Sequence, residues 1–204
     1  DVISRIQYTM ETPNGLNELS RIIRAQVEDM ISRALEDCGK SKSELRHTVL
    51  VGNTVMQHIF ASLPVDGIAC APFKPETLFE IDCNDVLLGA PVHYLPCVAG
   101  YVGGDITAGT LAAGLWDQDE MSLFIDLGTN GEIVFGNRDF MMSCACSAGP
   151  AFEGGDISCG MRATDGAIEA CTIDKETMEP TYKVVGDPGT KPVGLCGSGI
   201  IDVI

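Results

Sequence analysis

Asp126 closes a short apolar run, Ser122-Leu123-Phe124-Ile125, and Gly128-Thr129-Asn130-Gly131 follows before a second run, Glu132-Ile133-Val134-Phe135, begins. Runs of this length, rich in β-branched and aromatic residues, predict paired strands. The glycines permit the positive φ that lets neighbouring backbone N–H groups in the turn point outward together, and such a concave set of amides binds anions. A carboxylate at the strand end can hold a hydrated divalent ion against a bound phosphate, and the Thr129 hydroxyl can donate to it. An ordinary hairpin with an Asn-Gly turn fits the same residues.

Three further small-residue stretches stand where chain segments change character. His47 to Val51 predicts a compact buried strand that ends in Gly52-Asn53-Thr54, with a helix from Val55 to Ser62. Ligands collect at that end of α/β strands, because free amides and the helix dipole favour anions; a helix cap without a ligand is the plainer role. Gly103-Gly104-Asp105 opens a small-residue helix over Ile106–Leu115, where Asp105 either caps or orients water or magnesium at a phosphate. Gly197-Ser198-Gly199 opens a helix at Ile200. Arg162 is one of few cations late in the chain, with a phosphate or a salt bridge as its partner.

The elements that must position these groups follow from periodicity. Leu16, Leu19, Ile22, Ile23, Val27, Met30, Ile31, Ala34 and Leu35 recur at helical spacing from Asn14 to Gly39 and predict an amphipathic scaffold helix, preceded by a partial helix before Glu11. Pro64 to Pro91 has no sustained period and reads as a long excursion with one short strand. Val92–Leu95, Phe140–Cys146, the run after Asp165-Gly166 and Tyr182–Val185 are further strand candidates, and a short helix is expected after the small-residue turn at 147–155.

At 204 residues and 45% hydrophobic composition the chain supports a real core as one large or two small domains. It opens without methionine and stops within an apolar run, so it is expected to be an excised piece. No stretch predicts a membrane span or signal peptide, and the formal charge of −16 argues against nucleic acid or an anionic membrane as partner. Seven of the thirteen Lys and Arg precede His47. A polyphosphate bound later in the chain must therefore rely on amides and a metal ion. Nine cysteines without a CxxC predict reduced, mostly buried thiols.

GNTVMQH at 52–58, GYVGGD at 100–105, FIDLGTNGEIVF at 124–135, AGPAFEGGDISCGMRATDGAIEA at 148–170 and GLCGSGIIDVI at 194–204 together resemble the ATP-dependent reductive activators of corrinoid proteins. The resemblance implies an α/β fold of the actin/hexokinase/Hsp70-like (ASKHA, ribonuclease H-like) class, with mixed sheets flanked by helices and two incomplete lobes. Residues 1–116 would be the remainder of the first lobe and 117–204 the start of the second. It implies ATP and magnesium as cofactors, with an iron–sulfur cluster in a separate upstream domain. Asp126, Gly128, Thr129, Asn130 and Gly131 match the second-lobe phosphate loop, and Gly52, Asn53 and Thr54 match the junction after a first-lobe strand. Gly103, Gly104 and Asp105 match the crossing between lobes, and Gly197, Ser198 and Gly199 the turn before a second-lobe helix. Asp105 and Asp126 are the expected catalytic and magnesium-holding pair. The implied partner is a corrinoid protein of a methyltransferase system, in the cytoplasm of an anaerobic metabolism, with homodimer formation a further expectation.

The implied activity reduces cobalt(II) corrinoid to cobalt(I) at the expense of ATP. The first-lobe phosphate hairpin and the cluster domain would both precede residue 1, so these residues alone are expected not to turn over ATP efficiently. The same fold also serves activators of 2-hydroxyacyl-CoA dehydratases, for which Cys146 before Ser147-Ala148-Gly149 occupies a suggestive place, and small-molecule kinases. A region acting chiefly as a protein-docking surface is the non-catalytic alternative.

Overall fold

The computed structural model describes residues 2–80, 84–128, 130–147, 149 and 157–203. Thr129 and most of the turn at 147–155 lie outside the described residues; where a short helix was expected after it, residues 157–160 form a turn, with the Gly160 N–H donating to the Ile157 carbonyl at 2.9 Å. Contacts divide the chain into two compact units, one comprising 1–126 and 132–145, the other 127–131 and 146–204.

The first unit begins with α1 (Val2–Glu11) and α2 (Gly15–Asp37), joined through Asn14 in the left-handed conformation at φ 64°. The helical spacing places Leu16, Leu19, Ile23, Val27 and Ile31 against two apolar clusters. Ile22 and Met30, also on the expected stripe, are instead 47% and 60% exposed. The stripe is thus narrower than the sequence pattern predicts. One cluster is built on Phe60, Phe79, Leu87, Val92 and Tyr94, the other on Ile6, Val55, Ile59, Val65 and Ile68.

β1 (Thr48–Leu50), β2 (Asp85–Leu87) and β3 (Ala90–Tyr94) form a sheet in the order β1-β3-β2. β1 runs parallel to β3 with Val49 opposite His93, while β2 and β3 form a hairpin turned by Leu88 and Gly89, both at positive φ. Leu87, Val92 and Tyr94 enter the core beneath α2. Val49, Val51 and Val86 face outward, at 62%, 46% and 53% exposure. The expected buried strand is therefore buried on one face only. Arg24 of α2 binds Asp85 through both guanidinium nitrogens, at 2.7 and 3.1 Å, and lies 4.8 Å above the Phe60 ring. This fixes the helix over the hairpin. α3 (Thr54–Phe60) leaves the end of β1, and α4 (Asp66–Ala69) lies in the stretch expected to be irregular.

α5 (Gly104–Ala113) packs on a second sheet of order β4-β5-β6, made of β4 (Ser122–Leu127), β5 (Asn130–Gly136) and β6 (Met141–Ser147). Phe124 and Val134 meet Val102, Ile106 and Leu115 in a third apolar cluster. Gly109 is the point of closest approach, since a Cβ there would overlap the Phe124 ring. Side chains alternate across a strand, so Asp126 and Glu132 share the α5-facing side with Phe124 and Val134. Leu123, Ile125 and Leu127 occupy the exposed side.

In the second unit β7 (Ala167–Ile173) pairs antiparallel with β8 (Pro180–Val184) and parallel with β9 (Gly194–Leu195). α6 (Gly197–Val203) packs against β7, and Asp202 accepts the Cys171 N–H at 3.0 Å. The eight described cysteines are free thiols. No helix among the described residues is long and apolar enough to cross a membrane.

Candidate nucleotide and metal site

Two of the stretches singled out by sequence converge in the first unit. The Asp105 N–H donates to the Gly52 carbonyl at 3.3 Å, which brings the start of α5 onto the exit of β1. Gly103 makes the approach possible. A Cβ at that position would lie 2.5 Å from both the Gly52 oxygen and the Asn53 Cα, and 2.6 Å from Asp105 Oδ1. Gly104 is packed just as closely, beneath the Gln57 amide oxygen and the Leu95 carbonyl.

Within the junction, Asn53 caps α3 by accepting the Met56 N–H at 2.9 Å, in the preferred manner of an asparagine before a helix. Thr54 is buried, and its hydroxyl donates to the Ala99 carbonyl at 2.7 Å. These two side chains hold the junction together, through the Asn53 side-chain oxygen and the Thr54 hydroxyl. His58, one turn further on, hydrogen-bonds the Thr54 carbonyl through Nδ1 at 2.7 Å and accepts the Thr77 N–H at Nε2. Burial pushes its pKa below the usual histidine value.

Asp105 is half-buried in the first turn of α5, where its Oδ1 accepts the Ile106 N–H at 3.0 Å. Burial raises its pKa, the neighbouring backbone N–H groups oppose this, and the charge of Asp126 adds to the rise. Glu132 is also held above its ordinary value, by burial first and then by Asp105 and Asp126. The charge of Asp126 thus acts on Asp105, and both act on Glu132. Like charges gathered out of bulk water are a standing cost that a bound cation would relieve. Glu132 was not among the expected site residues. The signal for it was available in the strand period, because it stands two residues before core-facing Val134.

Among the described residues no set of three His, Cys, Asp or Glu is close enough to enclose a metal ion.

The remaining expected residues lie in the second unit. The Gly128 N–H donates to the Asn130 carbonyl at 3.1 Å, so that amide is engaged within the turn. Gly131 is buried against Cys146, whose thiol donates to the Gly131 carbonyl at 3.2 Å. Ser198 donates to the Glu169 carbonyl at 2.7 Å, and a Cβ at Gly199 would run into the Ile168 carbonyl. Gly197 through Gly199 thus serve the close packing of α6 on β7. Arg162 is exposed.

Residues 1–118 match the family described as the RACo middle region, and residues 120–204 match the C-terminal ASKHA domain of RACo. The chain belongs to the RACo family. Its fold is accordingly of the ASKHA class, with small mixed sheets flanked by helices. RACo relatives with names of their own include the corrinoid activation enzyme RamQ of Eubacterium limosum, 37% identical over all of this chain and 34% of the relative. Another is the reductase of the Co(II) methylated amine-specific corrinoid protein of Methanosarcina barkeri, 33% identical over 78% of this chain and 36% of the relative. A solved reductive activator for a corrinoid, iron–sulfur protein superposes with a TM-score of 0.76 at 44% identity, covering all of this chain and 33% of that one. The chain spans about a third of the length of the relatives it matches.

Proposed function

We propose that this chain is the ATPase region of a reductive activase, which couples ATP binding and hydrolysis to low-potential electron transfer and so reduces a corrinoid protein from cobalt(II) to cobalt(I). The observation that carries the reading is the acidic environment shared by Asp105, Asp126 and Glu132, built where the Gly103-Gly104 turn packs on the Gly52-Asn53-Thr54 junction. The relatives' names favour corrinoid activation over acyl-CoA dehydratase activation or small-molecule phosphorylation.

An ASKHA domain implies a nucleotide and magnesium. Asp126 and Asp105 would hold the hydrated ion, and Glu132 would order its water shell. The ion's charge stabilisation is what γ-phosphoryl transfer to water chiefly needs. ATP can drive reduction only through a difference in affinity between states of the protein, so the nucleotide must favour the docked or post-transfer state. A division of the ATPase into lobes at 1–116 and 117–204 would supply such a two-state element. The electron would come from an iron–sulfur cluster carried by another domain, and the recipient would be a corrinoid protein of a methyltransferase system. The cytoplasm is the proposed compartment and a homodimer the proposed assembly.

Anaerobic reduction of the corrinoid protein, followed by the visible absorbance of cobalt(I), tests this in the intact activator. Asp126→Asn should abolish the ATP-dependent part of the reduction while leaving the protein folded. Undiminished ATP-dependent reduction by that variant would remove the basis of the assignment.

A further inference from the structure

Gln57 stands in the middle of α3 and is fully buried, yet its amide is only half used. Nε2 donates to the Leu95 carbonyl at 3.0 Å. A carbonyl can only accept, so this bond fixes which way the amide is turned and sends Oε1 to the other side. There no donor among the described residues reaches Oε1. It bears instead on Gly104, where a Cβ would collide with it and would stand 2.7 Å from the Leu95 carbonyl oxygen. An acceptor left unpaired out of reach of water is unfavourable, and an apolar side chain of similar size would avoid it.

The amide completes a ring of contacts around the start of α5. The Leu95 N–H donates to the Leu50 carbonyl at 3.1 Å, which ties the end of β3 to the end of β1. The Leu95 carbonyl takes the Gln57 bond, and Gln57 bears on Gly104. The next residue, Asp105, donates its N–H back to the Gly52 carbonyl just beyond β1. On the far side of the same turn the Thr107 hydroxyl donates to the Pro96 carbonyl at 2.7 Å, while Gln57 bears on residue 104 itself.

We infer that Gln57 is a positioning residue of the nucleotide site: by holding Gly104 against the end of β3 it sets where the Asp105 carboxylate stands for a hydrated magnesium ion. The inference rests on the magnesium role proposed for Asp105. Magnesium demands near-ideal octahedral geometry, so a carboxylate that holds it must be placed to within about 0.5 Å. Misplacement by about 1 Å costs such constellations up to about 10²-fold. Without the Gln57 amide, the Leu95 carbonyl loses its donor and Gly104 loses the group that bears on it.

The test uses Gln57→Met in the intact protein, which keeps the length of the side chain and removes the amide, with Gln57→Leu as a second variant. Calorimetric titration with ATP, with and without Mg2+, should show the Mg2+-dependent gain in affinity reduced about tenfold or more, and Mg2+-free ATP binding unchanged. Amide hydrogen exchange gives a readout that needs no ligand: the Asp105 N–H should exchange about fivefold faster or more, as for one loosened hydrogen bond. Circular dichroism should show the variants folded. An undiminished Mg2+ gain, or unchanged exchange at Asp105, would overturn the role of Gln57 alone. ATP affinity lost equally with and without Mg2+, or loss of the fold in both variants, would mark a purely structural residue and overturn it as well. A parent protein without any Mg2+ gain would instead remove the magnesium reading, and this inference with it.

Discussion

Replacing Gly103 with alanine tests how tightly the two halves of the site are locked. The residue has φ −87°, a conformation open to any side chain, so backbone strain plays no part in the outcome. The cost is steric. Carbon atoms rest about 3.5–4.0 Å apart, whereas the new Cβ would stand 2.5 Å from the Asn53 Cα and the Gly52 oxygen. The junction or the start of α5 must move by about 1 Å, and the Asp105–Gly52 hydrogen bond at 3.3 Å is the contact in the way. Overpacking of this kind costs about 1–3 kcal/mol. For a chain of this size that lowers the melting temperature by about 2–12 °C. Gly52→Ala is the matched control, because a Cβ there meets nothing within 4 Å. Its effect should stay within about 0.5 kcal/mol. Urea unfolding of the two variants beside the parent reads the difference directly. Equal midpoints for Gly103→Ala and Gly52→Ala would refute the argument that glycine is needed for this approach.

Two further outcomes concern titratable groups. His58 is neutral in the fold with its pKa below 6.5, so below that pH the unfolded chain binds the extra proton first. Its stabilising contribution is complete above pH 6.5 and declines as pH falls; urea midpoints followed from pH 7.5 to 5 should drop, and His58→Asn should flatten that part of the profile. Asp105 behaves in the opposite sense. Its folded pKa is raised above 3.8, so stability falls as pH rises through that window and the charged carboxylate is a cost at neutral pH. Asp105→Asn should therefore be at least as stable as the parent at pH 7 without magnesium, yet lose stabilisation by magnesium and ATP in a thermal-shift assay.

Periodicity made α2 readable, because a long helix against a core repeats its signal many times. The β4–β5 hairpin was readable for a related reason, its two apolar runs bracketing a glycine-bearing turn. β2 was readable only as one short strand somewhere between Pro64 and Pro91; its place was not, since three residues carry little pattern and its turn uses Leu88 in a left-handed conformation that sequence does not advertise. The exposure of Val49 and Val51 was equally hidden, because a continuous apolar run does not reveal which face is covered. Asp105 and Asp126 were chosen for chemical type and position at element ends. Their electrostatic coupling, and the inclusion of Glu132, depend on α5 lying across the sheet, a long-range arrangement that no local string contains. Thr54 shows the converse. Its position suggested a ligand, and the fold engages its hydroxyl with Ala99.

A carboxylate at the end of β4 is proposed to hold magnesium for a nucleotide. Calorimetric titration of the intact protein with ATP, with and without Mg2+, and of its Asp126→Asn variant, addresses it most directly. Mg2+ is expected to strengthen ATP binding in the parent and the substitution to remove this gain, weakening Mg·ATP binding at least about tenfold, or about 1.4 kcal/mol. An Asp126→Asn protein that binds Mg·ATP as tightly as the parent would contradict it.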